Sequence, residues 1–376
     1  MLPKEYLNKK FNNLQNKINV DIVDDPLLRL LPEMQSDKED YSYSNNLEFE
    51  SLIDNFLIKN QYYEEDDYIY VGKLSNPYPN CYLVSGDDLE GCLICITSGL
   101  TENSYIISKY YTLLYESDEI YINEEQLKIY IQILERDIIY RIHQGYGTRI
   151  VPGDLLYYVE IILGEKIVDF LNYTASFSAV MDYFNILHEY GHYIWKTIGK
   201  KRVLQVLAVS LYVELCEKTP QYMDISQEEI LADIIALYIL FDGGDLDRTE
   251  IMAVLLSVLQ LQKMSKADIY TNEYRLDVFY YFFSKYSITF QQDEQEIKSR
   301  VQKVQQLFKI ESEIEIQKRD QAVPNAFFKL LQESGIEKST IDFILQDRQK
   351  QMKELQNLLK ERDQIGEDEF EDFLFK

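Results

Sequence analysis

Histidine is scarce in this chain, three residues in 376, and tryptophan scarcer still, with one. Cysteine is sparse as well. Cys81, Cys92, Cys95 and Cys216 are too few for a disulfide scaffold, and their number agrees with a reducing compartment. No run of eighteen or more apolar residues is present, which excludes an evident membrane-spanning helix. The opening residues Met1, Leu2, Pro3 and Lys4 lead into polar, asparagine-rich sequence without the apolar stretch of a secretory leader, so a cytoplasmic location is expected. Basic residues are in deficit, 38 Lys and Arg against 64 Asp and Glu, for a net charge of −26. Phosphate binding needs clustered Lys and Arg, so neither nucleic acid nor an anionic membrane is an expected partner.

What the chain does have is apolar content, 46% of its residues, and 31 tyrosines, whose rings pack while their hydroxyls reach water or a hydrogen-bond partner. A large core can be built from these. Residues 1 to 65 are polar and acidic with short apolar pieces, and read as a helical arm. From Tyr68 to Ile107 short β-rich pieces take over, namely 68–71, 81–84 and 92–96. The turn residues 85–88 join the last two into a hairpin. Helical periodicity then dominates, with helices expected near 124–144, 153–172, 175–198, 201–216, 226–241, 246–264 and 268–288. Beyond 290, Ile297, Val301, Val304 and Phe308 recur at helical spacing in a Gln- and Lys-rich background. Such helices either fold back on the core or bind a protein partner. The predicted class is α+β and mostly helical, in three parts: 1–65, 66–290 and 291–376.

Two of the three histidines fall in His188-Glu189-Tyr190-Gly191-His192, an HExxH pattern. Residues four apart on a helix share a face, so both imidazoles can grip one ion while Glu189 stands beside them as a candidate base. Two histidines leave zinc short of the three protein ligands of a catalytic site. Glu229 is the best third candidate, because Asp233 follows one turn later in an otherwise apolar helix and can accept the outer N–H of a ligating imidazole. Glu214 and Glu228 are the alternatives. Gly191 weakens a helix interior by about 1 kcal/mol, which points to another backbone, or the hairpin strand, passing close to it.

The HEYGH segment with Glu229 and Asp233 downstream resembles the gluzincin group of zinc metallopeptidases, in its short helical form, over roughly residues 80 to 280. The resemblance implies a zincin-like core with a small β-sheet and flanking helices. It also implies zinc held by His188, His192 and Glu229, Glu189 as catalytic base, and Asp233 behind a ligand. In that group a Tyr, His or Arg from a later helix donates to the reacting carbonyl oxygen. Here Arg275 is the first choice, with Tyr274 and Tyr270 nearby. The expected activity is hydrolysis of a protein or peptide, which could bind along the open edge of the hairpin.

Other readings remain open at this stage. The core could be a silent scaffold for an interaction protein, or the enzyme could be a toxin or defence effector acting on one protein. The Cys92-x-x-Cys95 pair would point to opposite faces of a strand and reads as two small buried hydrophobes. His143, at an expected helix end, reads as structural.

Overall fold

A computed structural model describes residues 69–74, 79–86, 89–115, scattered positions between 127 and 138, and then 167–196, 202–218, 227–241, 244–264 and 270–308. The expected arm over 1 to 65, His143 and the segments beyond 308 lie outside the described residues. The chain is mostly helical with one small sheet: β1 (Ile69–Leu74), β2 (Cys81–Val84), β3 (Cys92–Thr97), α1 (Ser98–Tyr115), α2 (Ile167–Lys196), α3 (Arg202–Lys218), α4 (Gln227–Phe241), α5 (Arg248–Met264), α6 (Tyr270–Tyr286) and α7 (Ile288–Phe308). No described helix is long and apolar enough to cross a membrane.

The strand order is β1-β3-β2. The central strand β3 reads Cys-Leu-Ile-Cys-Ile-Thr and is buried along its whole length, as a strand covered on both faces must be. The expected hairpin forms, β2 running antiparallel to β3 with Cys81 opposite Ile96 and Val84 opposite Leu93. Gly91, at φ 106°, supplies the left-handed turn residue that returns the chain into β3. β1 lies parallel to β3 on the other side, Ile69 opposite Cys92. Cys92 joins the main core with Ile94 and Ile96, whereas Cys95 packs on the other face with Tyr70 and Leu93. Both are free thiols and fully buried, so the pair serves as packing.

The register leaves one edge of β2 turned away from the sheet. Asn80 accepts from the Thr97 N–H, which makes it a hydrogen-bonded pair. By antiparallel alternation Tyr82 and Val84 also bond to β3, while Cys81 and Leu83 direct their backbone groups outward. Thr97 then ends the strand and begins α1, its hydroxyl accepting from the Leu100 N–H at 3.4 Å in the manner of a helix cap.

The 30-residue helix α2 is the axis of the molecule, about 45 Å long at 1.5 Å per residue. It packs against α1, α4, α5 and β2. The sequence pattern suggested a break near 173–174, yet the helix runs through. Tyr173 bonds Thr249 of α5 at 2.9 Å and Thr174 is buried, so tertiary contacts override the weak local propensity of these residues. At its other end Gln205 of α3 donates to the Ile194 carbonyl at 2.7 Å, satisfying one of the free terminal oxygens.

Helix α5 begins with a reciprocal cap, Asp247 accepting the Glu250 N–H and Glu250 accepting the Asp247 N–H, each at 2.8 Å. Helix α7 crosses the expected boundary at 290 and buries Phe290, Ile297, Val301 and Val304 in the same core. That part of the C-terminal region folds back.

Candidate metal centre

Helix α2 carries His188, Glu189 and His192, and α4 lies directly across it. The crossing is closest at Gly191, where a Cβ would sit 2.6 Å from the carbonyl oxygen of Ala232 and 2.8 Å from its Cα. The glycine therefore serves a close approach of two helix backbones, and the neighbour is α4 and not the hairpin. That approach brings the first two turns of α4 to the histidines. The Glu228 and Glu229 carboxylates stand in the first turn of α4, where the helix dipole favours negative charge.

His188, His192 and Glu229 form a group that could hold a metal ion. The two Nε2 atoms are 3.2 Å apart. Glu229 spans them, one oxygen 3.3 Å from His188 Nε2 and the other 3.4 Å from His192 Nε2. A tetrahedral ion with metal–ligand bonds of about 2.0–2.1 Å separates its donors by about 3.3–3.4 Å, so the spacing fits such a centre.

The outer nitrogens explain why the inner ones face each other. His188 Nδ1 is 2.8 Å from Asp233 and His192 Nδ1 is 3.1 Å from Glu228. A carboxylate at Nδ1 holds the proton there, which leaves each neutral Nε2 with a lone pair aimed inward. Two lone pairs and a carboxylate converge, an arrangement that requires a cation or a proton between them.

Each carboxylate behind a histidine is itself held by a base. Asp233, fully buried, receives the Arg275 Nε at 2.7 Å and Nη2 at 2.6 Å. Glu228 lies 3.1 Å from Lys196 Nζ. The two arrangements differ in solvation: the Asp233–Arg275 pair is inside the protein, whereas Glu228 and Lys196 are at the surface, 42% and 57% exposed. Solvent reaches the centre past Glu228 and Glu229.

Charge states follow from these partners. Burial opposes a charged His188, but Asp233 and Glu229 outweigh it and push the imidazole up to about 10. Burial likewise opposes ionisation of Asp233, and Arg275 with His188 overcomes it, holding the carboxyl below its ordinary value. Glu189 moves the other way. Burial pushes its carboxyl up, while His188, His192 and the Leu83 amide of β2 favour the ionised form. The Leu83 amide is one of the outward groups of β2, whose outer edge pairs with no other strand among the described residues and runs past Glu189.

Several sequence expectations are resolved by position. Glu229 takes the third-donor place and Asp233 the place behind His188. Glu214 belongs elsewhere: it sits on α3, paired with Lys285 at 2.5 Å and with Tyr281, which donates to it. Glu228 is an outer partner of His192 and lies outside the donor group. Arg275, expected from the sequence as a donor to a substrate carbonyl, places two of its N–H groups on Asp233, where an unpaired carboxylate at that depth would be costly. The side chains of Tyr270 and Tyr274 are outside the described residues. The Glu228 contact was legible in principle, since Lys196 follows His192 by four residues on one face and an acid could bridge them.

The tight crossing gives a prediction. Alanine in a helix ordinarily gains about 1 kcal/mol over glycine. At position 191 the new methyl meets backbone atoms that cannot rotate away, and such overpacking costs about 1–3 kcal/mol. Gly191→Ala is expected to lower stability and, by separating α4 from α2, to weaken metal binding. Denaturant unfolding and metal titration check this, and an unchanged variant would contradict the contact.

Comparison with known proteins finds no match to the chain among family profiles, curated proteins or solved structures.

Proposed function

We propose that this protein is a zinc-dependent peptidase of gluzincin type. The observation that carries the reading is the spacing of the His188, His192 and Glu229 donor atoms, with Glu189 at their side. Two imidazoles and a carboxylate are donors that suit zinc. Zinc bound there would lower the pKa of its water and polarise a peptide carbonyl.

The chain's own residues supply the rest. Glu189 is the proton acceptor, its carboxyl raised by burial toward the pH at which a base works best. Asp233 and Glu228 fix the two imidazole tautomers and keep both Nε2 atoms inward. Arg275 keeps Asp233 ionised and aimed. An extended peptide laid along the outer edge of β2 would meet the outward backbone groups of Cys81 and Leu83 and pass beside Glu189. Recognition through backbone groups gives little sequence preference.

Metal content decides the ligand set. Wild type and Glu214→Ala are expected to hold one zinc, and Glu229→Ala to lose it. Zinc also competes with a proton. In the metal-free chain the His188 value is raised from 6.5 to about 10, so the stabilisation from its protonated form is complete below 6.5 and lost as pH rises to 10. Zinc binding near pH 8 therefore releases about one proton from His188, and affinity climbs with pH through that window. Calorimetry in buffers of different ionisation enthalpy measures the release. Purified protein with zinc should degrade components of a proteome. Zinc binding without cleavage of any protein would support the scaffold reading instead.

A further inference from the structure

A glutamate side chain is flexible, and Glu189 must be aimed if it is to take a proton from water on the metal. The histidines beside it on α2 cannot aim it. Their Nδ1 atoms face Asp233 and Glu228, and both Nε2 atoms turn toward Glu229. With a proton on each Nδ1 and an ion on each Nε2, neither imidazole has an N–H to give to Glu189.

The sheet supplies a donor. Strand β2 lies against α2, and the Leu83 N–H reaches the Glu189 carboxylate. Two features fix that N–H in place. Antiparallel alternation turns it away from β3: Leu83 faces Ile94 in a pair that exchanges no ladder bonds, while Tyr82 and Val84 on either side are bonded to the central strand. The Leu83 side chain is packed against the main core, which resists a twist of the strand that would carry the amide away. The donor is therefore rigid backbone, and its bond to a carboxylate is charge-assisted. One carboxylate oxygen is held and the other is left to face the metal.

We propose that the backbone N–H of Leu83 is a positioning group for Glu189, holding the base toward the metal, and is not a contact for substrate. This role rests on the peptidase reading and sharpens its substrate side. A peptide added along β2 can pair with both outward backbone groups of Cys81 but only with the carbonyl of Leu83, so its anchor is Cys81.

Hydrogen exchange of the full chain, read at single residues, tests the contact without any need for turnover. The Leu83 amide is expected to be protected in wild type although it lies on a strand edge, and to exchange more than about tenfold faster in Glu189→Ala. Glu189→Gln keeps an acceptor oxygen and should keep the protection. The Tyr82 and Val84 amides, bonded to β3, should be unchanged in both variants. A Leu83 amide that exchanges freely in wild type, or that is indifferent to Glu189→Ala, overturns the proposal.

Leu83→Pro tests the role. Proline is tolerated where a strand-edge N–H points away from the ladder, and it removes this donor. On a fluorogenic peptide built around a cleavage site from the proteome digest, kcat should fall about ten- to a hundredfold, with KM and zinc content close to wild type. A raised KM with kcat kept would make the N–H a substrate contact and overturn the proposal. Should Leu83→Pro not fold, the exchange comparison decides alone. A wild type that cleaves nothing sinks the peptidase reading, and the protection of Leu83 still shows whether the sheet holds Glu189.

Discussion

Replacing Glu189 by glutamine is expected to reduce peptide hydrolysis by about two to four orders of magnitude while zinc content and fold are retained. The separation of effects follows from the geometry. The three donor groups belong to His188, His192 and Glu229, and Glu189 contributes none of them. Its carboxyl is partly buried, and burial raises its pKa, so a neutral amide of the same shape removes a desolvation cost. The amide cannot accept a proton, and chemistry that needs a base stops. Zinc analysis, denaturant unfolding and turnover on one peptide substrate, measured on the same preparation, give the three readouts. A variant that lost zinc together with activity would make Glu189 a structural residue. One that kept full turnover would remove it from the reaction.

The parts of this centre that were legible in the sequence are those separated by one helical turn. His188 and His192 share a face because they are four apart, and so do Glu229 and Asp233, so each half of the donor set could be placed before any tertiary contact was known. The helix α4 was equally plain, its run 230–237, apolar but for Asp233, too continuous for a surface helix and buried throughout. Gly191 announced a close approach through its cost in a helix interior, but the identity of the neighbour, Ala232, lies in the tertiary crossing. The hairpin of β2 and β3 followed from the turn residues. The parallel pairing of β1 with β3 had no local signal, since parallel partners are set by chain connections and by burial on both faces. The contact of Arg275 with Asp233 had no local signal for a related reason: the two are 42 residues apart, and an arginine near a metal centre can serve substrate or scaffold with the same sequence context.

That ambiguity is removed by a substitution with a large expected effect. Asp233 is fully buried and Arg275 is 7% exposed, with two N–H groups of the guanidinium on the carboxylate. Breaking such a pair from one side leaves a charge with no compensation, which typically costs about 3–5 kcal/mol. Arg275→Met is therefore expected to destabilise the protein by that amount. It should also weaken zinc binding by about ten- to a hundredfold, because Asp233 would no longer be held against His188 Nδ1. Asp233→Leu should be as harmful alone, stranding Arg275 and freeing the His188 ring. In the double variant Asp233→Leu with Arg275→Met the buried charges are gone together, so stability should recover well beyond the sum of the single losses while zinc affinity stays low. Unfolding in denaturant and metal titration of the three proteins complete the cycle. The carbonyl-donor role expected of Arg275 from sequence predicts a different pattern: stability and zinc affinity near wild type, with turnover alone reduced. Measuring that pattern in Arg275→Met would return the arginine to the substrate and leave Asp233 to hold His188 without it.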